Sequence, residues 1–344
     1  YEAWRLRKPV DRPMIGILWE PDIPALPEFL QRVGDGEITP DQIHPEHFLP
    51  SIEAWYRRVS GLRCDVIPRF TPAFGIPWVE AIAGCRVRAA SGSLWAEPSL
   101  CDYRNRAEIQ LTPDNPWLRK LIEFTQAMVE LADGRFSVAV PQMRGPLDTL
   151  AAMRTPQQMC MDMIECPQEV DRLLHELTDL WIGVGRAVLD AIPPFCRGYS
   201  ARMYTYTPGP VLTLQNDIST LVSSKLYNKH VRPCDERIVR SFPFTEFHMH
   251  ASEYHQLDNI LSLEDLTSVE FTLEHTLGGP PLDKMMPLVK RILAKKPLVL
   301  ACLDIDTARR CSRELPAEGL CLTVATSDYE IPSALADWLM DHCR

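Results

Sequence analysis

The chain is short of glycine, with 16 residues in 344 against 30 prolines. No Gly-x-Gly-x-x-Gly follows an early apolar segment, so the dinucleotide fingerprint of an open doubly wound sheet is missing. No apolar run reaches the roughly 18 residues that a membrane span needs. Positive charge is also scarce: 36 Lys and Arg face 46 Asp and Glu, a formal net charge of −10. That balance argues against nucleic acid as a partner, because phosphate binding wants a basic surface. Residues 1–8 are polar and lack the apolar stretch of a secretory signal. Eleven cysteines are scattered without paired spacing. An odd count in a long chain favours reduced thiols in a cytoplasmic setting over a disulfide framework.

What is present is a 46% hydrophobic composition, enough for one large α/β domain or two ordinary ones. The prolines fall mostly between periodic segments, where they mark loops and first helical turns. Helical spacing runs over 50–59, 117–132, two helices within 156–192, 224–240 and 282–295. Between them lie short apolar runs at 64–68, 135–140, 213–217, 242–250, 268–273, 297–302 and 319–325. Apolar strands alternating with helices imply a parallel sheet covered on both faces. About eight such strands predict a (β/α)8 TIM barrel over residues 61–344, with residues 1–60 as an N-terminal helical extension packed on it. An open doubly wound sheet is the second choice.

The segment Phe242-Pro-Phe-Thr-Glu-Phe-His-Met-His250 carries the most chemistry. In an extended strand residues i and i+2 share a face, so His248 and His250 point the same way, with Glu246 in the same parity. Two imidazoles so placed can chelate a borderline metal such as zinc. The plainer alternative is a hydrogen-bonded pair used for general acid–base work. In a barrel the chemistry gathers at strand C-terminal ends. Asp217, Glu274 and His275, and Thr326, Ser327 and Asp328 follow other strands, so polar groups from several strand ends converge.

Three stretches resemble the uroporphyrinogen decarboxylase superfamily, which includes cobalamin-linked methyltransferases. They are Val138-Ala-Val-Pro-Gln-Met-Arg-Gly-Pro-Leu-Asp-Thr-Leu150, the segment from Gln215 to Pro233, and Phe247-His-Met-His250, in the superfamily's order over roughly residues 60–340. The decarboxylase branch uses an early arginine pair to grip substrate carboxylates, and residues 12–20 carry no such pair. The resemblance to the methyltransferase branch implies a demethylase component, moving a methyl group between a small methylated substrate, such as an aromatic methyl ether or methylated amine, and a corrinoid protein. Cobalamin would be carried by that separate protein, since the Asp-x-His-x-x-Gly loop of corrinoid-carrying domains is absent. The branch's zinc-dependent members hold the metal through His-x-Cys and a last-strand Cys. Here His250 stands for the first Cys, and Cys321 lies in the last strand but earlier. The metal ligands expected on that basis are His248, His250 and Cys321. A decarboxylase and a non-catalytic binding barrel remain the alternatives.

Candidate catalytic residues are therefore His248, His250, Asp217 and Glu274, although Asp217 would equally serve as a helix N-cap. Candidate substrate contacts are Phe74 and Trp78 in a lid after the 64–68 run, Arg144 as an anion anchor, Tyr204 and Tyr206 as an aromatic wall, and Glu246. A possible homodimer, no nucleic acid and no membrane complete the expectations.

Overall fold

The computed structural model describes residues 1–19, 25–72, 75–104, 106–275, 278–326 and 340–341. Phe74, Ser327 and Asp328 lie outside these residues, as do the side chains of Cys302 and Thr326.

Among the described residues eight strands fall in two parallel ladders: β1 Met14–Trp19, β2 Arg69–Phe70, β3 Ser137–Val138, β4 Val211–Leu214, β5 Phe244–His250, β6 Ser268–Thr272, β7 Leu298–Leu303 and β8 Leu320–Thr326. Six of them make one sheet in the order β1-β8-β7-β6-β5-β4, so the first strand lies beside the last. β2 and β3 pair with each other as a second parallel ladder. The described residues thus show ladders of six and of two strands, where the sequence predicts one closed set. β1 falls within the segment predicted to be a helical extension, and the 64–68 run precedes β2 without being a strand itself. A small antiparallel sheet of residues 36–38, 87–90 and 93–96 stands apart.

The strands read as near-continuous apolar runs because helices cover the sheet. β4 and β6 are buried at every residue, as expected of parallel strands shielded on both faces. Helix α1, Pro116–Ala132, begins where the Asn115 side chain accepts the N–H groups of Trp117 at 3.0 Å and Leu118 at 3.1 Å, an N-cap followed by proline at the first helical position. Helices α2 Pro146–Arg154, α3 Pro156–Glu165 and α4 Pro167–Asp190 each open on proline too. Among the described residues no helix is long and apolar enough to cross a membrane.

The segment predicted as one helix over 224–240 is interrupted. A π-helical turn, Tyr227–Val231, precedes α5, Arg232–Arg240, and Pro233 contributes no N–H there. The wider turn places the Tyr227 hydroxyl on buried Asp235, which also accepts from Asn216 Nδ2 at 2.9 Å. Asn216 is fully buried and is the residue before Asp217.

Candidate metal centre

Strand β5 delivers the histidines, and its two neighbours treat it differently. On one side the ladder with β6 runs to the strand's C-terminal end, pairing Glu246 with Ser268, His248 with Glu270 and His250 with Thr272. On the other, pairing with β4 stops at Phe247 and Leu214. Register partners in a parallel ladder share a face, so Glu270 is carried to His248 by the sheet itself. Glu270 is fully buried, accepts from Thr272 Oγ1 at 2.8 Å and bonds His248 Nδ1. Burial favours the neutral ring of His248, but this carboxylate outweighs it and pushes the imidazole up to about 9.

Both imidazoles turn Nε2 toward the same point. The two Nε2 atoms are 3.2 Å apart, and Asp217 Oδ1 lies 3.9 Å from that of His250. One donor atom from each of these three residues falls within 4.8 Å of the others. The opposite nitrogen of each ring faces a carboxylate: His248 Nδ1 meets Glu270, and His250 Nδ1 lies 3.1 Å from Glu274 Oε1. Asp217 Oδ2 accepts from Gln215 Nε2 at 2.7 Å, while Oδ1 is buried without a hydrogen-bond partner.

This donor set fits a divalent metal. Two nitrogens on one tetrahedral zinc, each about 2.0–2.1 Å from the ion, stand about 3.3–3.4 Å apart. The Glu270 carboxylate on the far nitrogen of His248 fixes that ring's tautomer and orientation, as such partners do around metal-bound histidines; Glu274 lies close to His250 Nδ1 but makes no hydrogen bond to it. The orphaned Asp217 oxygen supplies a third donor whose burial unpaired is otherwise costly. Two nitrogens and an oxygen form a harder set than thiolates, suited to zinc, iron(II) or manganese.

No family model matches the chain, and no curated protein matches it. A solved structure does resemble it: a methyltransferase from Methanosarcina mazei, at a TM-score of 0.64. The match covers 99% of this chain and 96% of that one at 13% identity. Likeness at that identity is likeness of fold.

The structure brings together His248, His250, Asp217 and Glu274, all four of the residues singled out for chemistry. It sends others elsewhere. Cys321, expected as the third ligand, is buried in a separate apolar cluster with Trp4, Val66, Tyr204 and Val299, and burial pushes its thiol well up. Asp217 takes its place beside the histidines. Glu246 shares their parity yet lies deeper in the strand, fully buried. It accepts from Met203 N at 3.2 Å, from Thr213 Oγ1 at 3.0 Å and from Thr205 Oγ1. It is a tie for the 201–205 turn, not a substrate contact. Tyr204 packs in the Cys321 cluster under the Arg69 guanidinium, 3.7 Å from its ring centre. Tyr206, on the 199–207 hairpin, donates to Phe195 O at 2.7 Å, outside the hairpin. Trp78 is core, edge-on to Trp117. Arg144 is half-exposed and 3.3 Å from buried Glu80.

Three carboxylates went unread in sequence. They are Glu270, Glu253 and Asp148, and each holds a ligand residue or its backbone. Asp148 accepts the N–H groups of Asp217 at 3.1 Å and Ile218 at 2.8 Å, and burial pushes it well above the usual carboxylate range. A polar residue inside an apolar strand was the available signal for Glu270, and one in the first turn of a buried helix for Asp148; Glu253 sits in the polar turn Ala251–Gln256, which gives no such signal.

Farther back, burial pushes Asp235 up to about 7 against the opposing hydrogen bonds from Tyr227 and Asn216. Between about pH 4 and 7 the native state keeps this proton while the unfolded chain has lost it. The native state then binds more protons, so this group makes stability fall as pH rises through that window. An Asp235→Asn variant lacks the slope. Its stability relative to the parent should rise between pH 4.5 and 7.5, by at most about 1.4 kcal/mol per unit. Denaturant melts across that range check this, and parallel curves would contradict it.

Proposed function

We propose that the chain is a metal-assisted methyltransferase, moving a methyl group between a small methylated substrate and a corrinoid protein as a demethylase component. The observation that carries this is the pair of carboxylate-backed imidazoles with Nε2 atoms 3.2 Å apart beside the orphaned Asp217 oxygen. That the M. mazei neighbour is a methyltransferase supports methyl transfer as the chemistry. The reading also takes the six-stranded and two-stranded parallel ladders together as a (β/α)8 barrel with its mouth at the strand C-termini.

His248, His250 and Asp217 would hold the ion, zinc being the first candidate. Bound there, it supplies Lewis acidity that lets an oxygen or nitrogen part from a methyl group as an anion. Glu270 holds a proton on Nδ1 of His248, so that a metal would displace only the proton on Nε2, the nitrogen that faces the site. Glu274 is placed to do the same for His250. Gln215 holds one oxygen of Asp217 and thereby aims the other. With Asp217, Glu270 and Glu274 around it, the site suits a neutral or cationic methylated compound, an aromatic methyl ether or a methylated amine, better than a polycarboxylate such as a porphyrinogen.

Elemental analysis together with methyl transfer to a corrinoid protein tests this. The purified chain should carry about one divalent metal, and a His248→Ala/His250→Ala variant should lose both metal and transfer. A double variant that still demethylates would remove the metal from the reading. Turnover of uroporphyrinogen would remove the methyltransferase.

A further inference from the structure

The candidate ligands come from two elements that the main-chain ladder does not join. His250 ends β5, and Asp217 opens the short turn Asp217–Leu221 that follows β4. Pairing between those strands has already stopped at Phe247 and Leu214, so no backbone hydrogen bond of the ladder sets the distance from His250 to Asp217. Glu253 bridges the gap. One of its oxygens accepts the His250 N–H at 2.7 Å, and the other accepts the Ser219 hydroxyl at 2.6 Å. Both Glu253 and Ser219 are 1% exposed, so water does not substitute for these bonds. From the other side Asp148 fixes the Asp217 and Ile218 amides.

We infer that Glu253 is the positioning residue that sets the spacing between His250 and Asp217, and hence the affinity of this centre for its metal. The inference rests on the proposed metal centre. Glu253 does not point a donor at the ion; it acts through the main chain of one ligand residue and the turn of the other. A glutamine could make the same two bonds, its oxygen accepting from His250 and its amide donating to Ser219. The role is therefore one of geometry, and the conservative variant separates it from a role of charge.

Cobalt(II) is the probe, titrated into the metal-stripped full chain with its visible absorption followed, because band intensity reports the ligand arrangement. Outer partners of metal ligands typically carry 10–100-fold in affinity. Glu253→Ala should weaken cobalt binding within that range and alter the bands. Ser219→Ala, which removes one of the two bonds and little volume, should give a smaller loss in the same direction. Glu253→Gln should stay within about threefold of the parent with its spectrum intact. Parent-like affinity and spectrum in both Glu253→Ala and Ser219→Ala would overturn the inference while leaving the metal centre standing. Equal damage in Glu253→Gln and Glu253→Ala would also overturn it, in favour of charge. A parent chain that takes up no cobalt would overturn the metal centre and the inference together.

Discussion

His248→Ala is expected to abolish metal binding and to destabilise the metal-free protein. Partners one step removed from a metal already carry 10–100-fold in affinity, so loss of a ligand should exceed about 100-fold. The stability effect has a separate cause. Glu270 is fully buried against His248, and removing one member of a buried charged pair costs about 3–5 kcal/mol because the other is left uncompensated. Adding Glu270→Gln should return much of that stability, since the neutral amide tolerates burial far better. It should return none of the affinity. Denaturant melts and cobalt titrations on the two single variants and the double variant form the cycle that separates the terms. Restored metal binding in the double variant would contradict the assignment of His248.

Gly145→Ala is expected to have the second large effect, although Gly145 touches no ligand side chain. A Cβ built there would lie 2.0 Å from Gln215 O and 2.3 Å from Asn216 Oδ1. The first of these is backbone, so no side-chain rotation relieves it. Either α2 shifts away, or the Gln215–Asp217 turn does. Overpacking typically costs 1–3 kcal/mol, and a clash with main chain belongs at or above about 3. Because Asn216 Oδ1 also accepts the Leu147 N–H at 3.1 Å, a displaced turn carries Asp217 with it, and metal affinity should fall together with stability. An unchanged melting midpoint would contradict the close approach of these two loops.

These effects show which parts of the site were readable in one dimension. The His248 and His250 pair was legible because period-two alternation within one strand fixes a common face without any tertiary knowledge. Asp217 and Glu274 were legible as polar residues ending apolar runs. Glu270 was not, because its partnership with His248 depends on the register between β5 and β6, which no local pattern encodes. Parity misled for Glu246, since sharing a face does not place two residues at the same depth. The resemblance misled for Cys321, whose strand belongs to the sheet but whose side chain packs with Trp4 and Tyr204. β1 was missed as a strand. It is a short run after Pro13 with Gly16 inside, and the missing side chain there makes room for Val66 and Thr323. The Gly-Pro turn at 145 was noticed as a pattern, and its cause is the carbonyl of Gln215 pressed against it.

The central claim is that one divalent ion sits among His248, His250 and Asp217. Anomalous diffraction at the zinc edge, from crystals of the protein grown with zinc, tests it most directly. The account predicts a single strong peak about 2.0–2.2 Å from His248 Nε2, His250 Nε2 and an Asp217 oxygen. A native fold with no peak there, or a peak at Cys321 instead, would contradict it.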